Sequence, residues 1–476
     1  MEKRYGLITA IAMVIGNVIG SGVFVKGGKV LSLTGGNMLQ AVLVAAIVGL
    51  ICIICSLVFA ELGARCGKVN GVVDYAENAL GSGYAYYVGW FMATVYYPAM
   101  SSIVAFFAAV FTLRLFGVNA LDFANGTIST EAVGLGAGYL IMSYGLNAIS
   151  PRLAGKMQVS MTVIKLIPLL LMGIVGTAVG LSNGTTQAVL NEGAVNGASQ
   201  GGGIAGMLSA ITAFAFSYEG WIIATSINGE LKNAKKNLPI ALITGSVVCT
   251  VIYCLYLFSM SAVGSTEAII ATWPLGESLP ELVFSAVFGR LAGTLVYVFV
   301  TISCLGTLNG FVMGSCRGMY AIAARGEGPR PEFFGEVDSQ NGFVIKSSLI
   351  GLMLGGFWYA WNCTLWMKGP DFMGGLHNNM WIGWEPDEIC VVNLYAMYIP
   401  MFASLMVQAK DLNVFKRFIM PGLGILCCLF MVFCCYVGKG FRQVTGYLVF
   451  LAVVMLIGRL FRGKTHKTEK IVENFS

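Results

Sequence analysis

The sequence predicts an all-α integral membrane protein with twelve transmembrane helices, and three observations carry that prediction. Of its 476 residues, 57% are apolar and only 11% charged, where a soluble domain of this length carries roughly 25% charged residues. Apolar segments long enough to cross a bilayer, about 20 residues each, centre near residues 17, 50, 98, 140, 168, 215, 251, 305, 353, 399, 426 and 450. The 61 glycines suit close helix packing and helix breaks within lipid.

An even number of spans returns the C-terminus to the side of the N-terminus. With both termini placed in the cytoplasm, 21 of the 29 Lys and Arg residues fall inside, seven outside and one, Lys165, at mid-span. That bias obeys the positive-inside rule and predicts the orientation. The chain opens Met-Glu-Lys-Arg-Tyr-Gly and runs directly into an apolar stretch too long, and too interrupted by glycine, for a signal peptide. The net charge of +6 is spread over short loops, which does not suggest a nucleic-acid partner.

The first span contains Gly16-Asn17-Val18-Ile19-Gly20-Ser21-Gly22 at its middle. Glycine in a helix interior costs about 1 kcal/mol relative to alanine, so this cluster predicts local unwinding. Taken alone it also reads as a helix-packing groove of small residues. Unwound backbone at membrane depth is tolerated only where it lines a protein cavity. The second to fourth spans read as ordinary membrane helices. The fifth carries Lys165 within an apolar run, too deep for easy snorkelling.

The sixth span holds Phe214-Ala215-Phe216-Ser217-Tyr218-Glu219-Gly220-Trp221, a carboxylate at membrane depth beside a glycine. A broken first span and a broken sixth span lie five spans apart. Such spacing is expected of inverted repeats, and interrupted segments at matching positions point to a midplane binding site. Half-helix N-termini favour an anion and half-helix C-termini a cation. A zwitterion matches both ends at once.

No soluble domain fits between the spans. The longest polar interruptions lie near 182–203, 325–346 and 363–388. The last holds Trp366, Trp381 and Trp384, which suits an interfacial cap or a plain aromatic belt. Cys363 and Cys390 flank it, and whether they pair is left open. The other cysteines, 13 in all, lie mostly in apolar runs as small hydrophobes without metal-ligand spacing. His377 and His466 lie outside the spans, which excludes intramembrane histidine chemistry. A membrane-embedded enzyme is disfavoured because the spans supply no His or Asp. No cofactor is expected.

At these residues the sequence resembles the amino acid–polyamine–organocation superfamily, and within it the L-type and small-neutral amino acid exchangers of the alanine-serine-cysteine and serine/threonine kinds. Residues 16–24 (G-N-V-I-G-S-G-V-F), 214–221 (F-A-F-S-Y-E-G-W), 229–241 (G-E-L-K-N-A-K-K-N-L-P-I-A), 302–310 (I-S-C-L-G-T-L-N-G) and 316–326 (C-R-G-M-Y-A-I-A-A-R-G) carry the resemblance. It implies a LeuT-type fold: a 5+5 inverted repeat over residues 1–180 and 181–409, and two peripheral helices with a cytoplasmic tail over 410–476. Helices 1 and 6 are expected to be unwound at mid-membrane.

The resemblance also implies roles. Gly20, Ser21 and Gly22 would hold the substrate carboxylate, while the carbonyls of Val18, Phe216 and Glu219 receive its ammonium group. Ser217 lies in the same site. Phe216 would be an aromatic gate, with a plain core aromatic as the alternative. The Glu219 side chain has no assured role beyond capping a half-helix. Lys165 would stand in for a bound sodium ion; a proton-coupling role and a tether that never titrates both remain open. Tyr253 would lie beside the site, and Asn309 would face the pocket or brace a helix. Ala234 departs from the usual proline of the K-N-P stretch. The outer loop from Arg114 to Thr130 holds no cysteine, so no covalent heavy subunit is expected, and the chain would act as a monomer or homodimer. The implied activity is sodium-independent exchange of small neutral L-amino acids in the cell membrane, with proton-coupled symport as the rival and a nutrient sensor as a third possibility.

Overall fold

The computed structural model describes residues 6–66, 71–122, 127–196, 202–263, 279–338, 344–365 and 384–462. Trp366, Trp381, His377 and His466 lie outside the described residues. The described chain is helical apart from one small antiparallel pairing, Leu121–Asp122 with Thr127–Ile128, in the loop after the third span.

Among the described residues, ten helices are long and apolar enough to cross a membrane, and an eleventh crossing comes from the bent pair Leu7–Val18 and Gly22–Leu33. After that bent first span come Met38–Arg65, Ser82–Leu115, Thr130–Ile149, Leu153–Ser182, Gly203–Thr225, Ala234–Ala262 and Arg290–Ala323 as spans two to eight. Pro386–Gln408, Phe415–Lys439 and Phe441–Phe461 complete the set. The expected ninth crossing corresponds to Ile345–Leu365, whose 21 residues include Lys346, Trp358, Tyr359, Trp361 and Asn362, polar enough to keep it out of that count. Its Leu349, Met353 and Phe357 are nevertheless exposed one turn apart, the spacing of one helix face. We number it as the ninth span.

Exposure follows lipid rather than water. On the last span Val449, Val453, Leu456 and Leu460 form an exposed apolar stripe. The polar and charged groups Asn17, Lys165, Glu219 and Asn309 are buried. This inside-polar arrangement suits a bilayer, where every polar group needs a partner within the protein.

The third span shows how a local irregularity is accommodated. Pro98 has no N–H to donate to the carbonyl of Thr94, and a π-helical turn, Met92–Tyr96, precedes it. The freed Thr94 carbonyl accepts from the Trp358 indole N–H at 3.0 Å, which pins the ninth span to the third.

Cys363 and Cys390 are both free thiols. Trp384, the member of the expected cap that is described, packs edge-on to Tyr447 of the last span at 5.5 Å.

Candidate functional site

The first break is narrower than its glycine cluster suggests. Helix persists through Gly16 and Asn17 to Val18, Ile19 takes an extended conformation, and helix resumes at Gly22, bent by 46°. The sixth span stops being α-helical at Ala215. A 3-10 turn, Phe216–Tyr218, follows, then extended Glu219, then Gly220 at φ +103°, and 3-10 helix resumes at Trp221. A left-handed φ of this kind is open to glycine and strained for other residues.

Packing brings the two breaks together. A Cβ on Gly22 would stand 2.6 Å from the Ser217 Cα, and one on Gly220 would stand 2.7 Å from the Asn17 carbonyl oxygen. Only hydrogen fits at either position. Tyr253 of the seventh span completes the junction: its hydroxyl lies 3.0 Å from the Val18 carbonyl and 2.9 Å from the Ser217 carbonyl. One O–H thus serves the end of both half-helices, where unsatisfied carbonyls concentrate negative potential.

Three buried polar atoms on these breaks have no protein partner: the Ser21 and Ser217 hydroxyls and Asn17 Nδ2. Buried polar groups are ordinarily paired, so hydroxyls left open on facing breaks mark groups available to a ligand. Glu219 is buried, and its carboxylate accepts from the Tyr96 hydroxyl at 2.9 Å. The Gly220 backbone N–H is a second donor to it, while the helix that resumes at Trp221 has no side-chain cap. The Phe216 carbonyl accepts from the Glu219 N–H at 3.2 Å.

Lys165 sits beneath the first break. Its ammonium donates to the carbonyls of Gly16 and Ile19, each at 2.6 Å, to the Thr307 hydroxyl at 3.1 Å and to the Ser303 carbonyl at 3.3 Å. Thr307 in turn donates to the Gly16 and Ile19 carbonyls, and Gly20 packs against Thr307. These oxygens, from the first and eighth spans, form the kind of ring that coordinates a hard cation. Asn309 faces elsewhere. It hydrogen-bonds Gln158 and the Ala154 carbonyl of the fifth span, so it braces helices.

At the end opposite the N-terminus, Lys26 on the second half of the first span forms a 2.9 Å ion pair with Asp387 at the start of the tenth, and a 3.6 Å pair with Glu385. Its ammonium also lies 5.4 Å from the centre of the Phe216 ring, within cation–π range. Lys439 closes the cluster from the eleventh span, 2.5 Å from Glu388 and 3.4 Å from Glu385. Burial alone would push the Glu385 carboxyl up, but Lys29, Lys439 and Lys26 outweigh it and hold the group well below the usual carboxylate range. Toward the other end, Arg325 pairs with Asp74 and, at 3.0 Å, with Glu77, while Arg462 reaches Glu327 at 3.3 Å.

The residues expected from the sequence therefore converge, with Asn309 the one that points away. Lys26, Asp387, Tyr96, Ser303 and Thr307 were not singled out. Ser303 and Thr307 lie in the recognised I-S-C-L-G-T-L-N-G stretch, one turn apart, which was a usable signal. Lys26, one of the seven Lys and Arg residues that the span count places outside, lies buried within a helix of the first span. Among the described residues no group of three or more His, Cys, Asp and Glu side chains could hold a metal ion.

The sequence model of a family described as amino acid permease matches residues 5–459. The chain is 29% identical over 419 residues to the serine/threonine exchanger SteT of Bacillus subtilis, covering 88% of this chain and 86% of that protein. It is 28% identical over 332 residues to the b(0,+)-type amino acid transporter 1 of Oryctolagus cuniculus, covering 68% of this chain and 64% of that protein. To the large neutral amino acids transporter small subunit 2 of the same organism it is 27% identical over 333 residues, covering 69% and 59%.

Proposed function

The chain belongs to the amino acid permease family, and from that premise we propose that it exchanges small neutral L-amino acids across the cell membrane by alternating access, independently of sodium. The observation that carries this reading is the meeting of the two breaks. Val18, Gly22, Ser217 and Gly220 lie at one junction, tied by the Tyr253 hydroxyl, with the Ser21 and Ser217 hydroxyls unpartnered.

A zwitterion is held by complementary backbone ends. The free N–H groups of Gly20, Ser21 and Gly22, with the Ser21 hydroxyl, take the carboxylate at the start of the second half-helix. The carbonyls of Val18, Phe216 and Glu219 take the ammonium group, with Tyr253 sharing Val18. The choice of a small side chain rests on similarity to a relative named as a serine/threonine exchanger. Phe216 lies over the site as the gate, and the ion cluster of Lys26, Asp387 and Glu385 sits beyond it.

Lys165 acts as a fixed surrogate for sodium. Its ammonium already fills the ring of oxygens that a free ion would need. The rival is a proton-coupled symporter in which Lys165 releases its proton during the cycle; its complete burial keeps that reading in view. The two breaks fall at corresponding places in a 5+5 repeat of residues 1–180 and 181–409, with 410–476 peripheral. The charge bias puts both termini in the cytoplasm. The chain carries no catalytic chemistry and works without a covalent heavy subunit, as a monomer or homodimer.

The test is uptake of labelled L-alanine or L-serine into sodium-free liposomes. Uptake that requires unlabelled amino acid inside supports exchange. Uptake into empty vesicles driven by an inward proton gradient overturns it and makes Lys165 the leading candidate for the proton site.

A further inference from the structure

Behind the first break lies a run of buried side-chain amides that the binding scheme does not use. Asn147 on the fourth span donates from Nδ2 to Oδ1 of Asn309 on the eighth, at 2.9 Å. Asn309 donates from Nδ2 to Oε1 of Gln158 on the fifth, at 3.0 Å. Gln158 donates from Nε2 to Oδ1 of Asn17 on the first, at 2.9 Å. All four side chains are 5% exposed or less.

The direction of the run is fixed by two backbone acceptors. Asn147 Nδ2 also donates to the Ser143 carbonyl at 2.9 Å, and Asn309 Nδ2 to the Ala154 carbonyl at 3.0 Å. Turning one amide over would set donor against donor and acceptor against acceptor. Turning all of them over would point amide oxygens at those two carbonyls. Every donor therefore points toward the break, and bonds aligned in series polarise one another. The run ends on Asn17, whose Nδ2 has no partner.

Asn17 is where this run meets both breaks. It immediately precedes Val18, and its carbonyl oxygen rests against Gly220 of the sixth span. Its side chain fills space left by Gly310, where a Cβ would overlap Asn17 Oδ1. Gln158, Thr162 and Lys165 lie along one face of the fifth span, at helical spacing, and contact the first half-helix at Asn17, at Ala12 and Gly16, and at Gly16 and Ile19 respectively. The amide run is thus one of three supports, and the one that reaches back to the fourth span.

We infer that Asn147, Asn309, Gln158 and Asn17 form a positioning relay for the transport site, through which the fourth, fifth and eighth spans set the register of the first break against the sixth. The relay rests on the reading that the paired breaks hold the substrate. Among its members Asn147 is the informative one, because it forms no described hydrogen bond with either break. Its side-chain donors go to the Ser143 carbonyl and to Asn309, so the loss of those donors is passed toward the break through Asn309 and Gln158.

The experiment compares wild-type protein with Asn147→Leu and Gln158→Leu, each as the full chain in sodium-free liposomes loaded with L-serine. Asn147→Leu keeps the approximate shape of the side chain and removes both of its donors. The relay predicts a rise in KM for L-serine of about tenfold in each variant, the scale of one lost buried hydrogen bond, with the maximal exchange rate within about twofold of wild type. If Asn147→Leu fails to fold, Asn147→Ala is read in its place. An unchanged KM in the folded variants overturns the relay. A fall in maximal rate with KM unchanged also overturns it, since a purely structural brace would lower the amount of working protein. Absence of uptake by the wild-type protein overturns the transport reading itself, and the relay with it.

Discussion

The Lys165 ammonium lies 2.6 Å from the carbonyl oxygen of Ile19, the first residue of the break in the first span. The same ammonium holds Gly16, Ser303 and Thr307, so one side chain joins the first, fifth and eighth spans at the point where the first loses its helix. Replacing it with an apolar residue strands several buried acceptors, each at a cost of about 1–3 kcal/mol. Lys165→Met is expected to lower amino acid uptake by at least about tenfold, while wild-type uptake is the same in sodium and in choline buffer. A sodium requirement in the wild-type protein would sink the surrogate-cation reading.

Gly22 and Gly220 are the points of closest approach between the breaks. Gly22→Ala drives a Cβ into the Ser217 backbone, and Gly220→Ala adds the strain of a left-handed φ to a contact with the Asn17 carbonyl. Both variants are expected to lose transport, and Gly220→Ala to lose about 1–3 kcal/mol of stability. Gly134→Ala on the fourth span, where a Cβ meets nothing within 4 Å, is the control. Thermal unfolding in detergent and uptake in liposomes distinguish the three, and equal behaviour would refute the close-packed junction.

Tyr253 offers a milder test of the same junction. Tyr253→Phe keeps the ring that packs edge-on to Tyr218 at 5.0 Å and removes the O–H shared by Val18 and Ser217. A net loss of about 1 kcal/mol is expected, read as a rise in KM of about fivefold with the protein still folded. An unchanged KM would place the hydroxyl outside the site.

The ion cluster over Phe216 makes a prediction about pH. Because Glu385 has a lower pKa folded than unfolded, its ion pairs contribute fully above the ordinary carboxylate value of about 4.3 and are lost only as pH falls through the folded value. Between pH 5 and 8 this group should therefore leave exchange unchanged. Asp387→Asn removes one partner of the pair with Lys26 at any pH. In a variant keeping Cys390 as its sole cysteine, that change is expected to raise labelling of the buried thiol by a membrane-impermeant maleimide several-fold. No increase would show that the cluster does not hold this end closed.

Some features were legible because they are local. Gly16, Gly20, Gly22 and Ser21 stand out in an apolar run, and so do Lys165 and Glu219, because lipid makes each costly whatever surrounds it. Recognition of the five sequence stretches then assigned roles that the geometry brings to one place. The break itself proved shorter than its glycines, because Gly16 and Asn17 are held in helix by contacts from the fifth and eighth spans. Lys26 and Asp387 read as ordinary outer charges, since nothing along the chain links residues 361 positions apart. Tyr96 was one of 19 tyrosines until packing set it on Glu219. Asn17, Gln158 and Asn147 were three amides among many.

Membrane insertion is a sum of transfer free energies over short windows, and helix breaking is a property of a few consecutive residues. The sequence by itself therefore determined the class of protein, its spans and the places where two of them fail. Which polar group meets which depends on helix rotation and approach, set by packing among spans far apart in the chain. Only the tertiary structure decided that one tyrosine joins both breaks, that Lys165 fills a ring of oxygens, and that an amide on the fourth span is connected to the first.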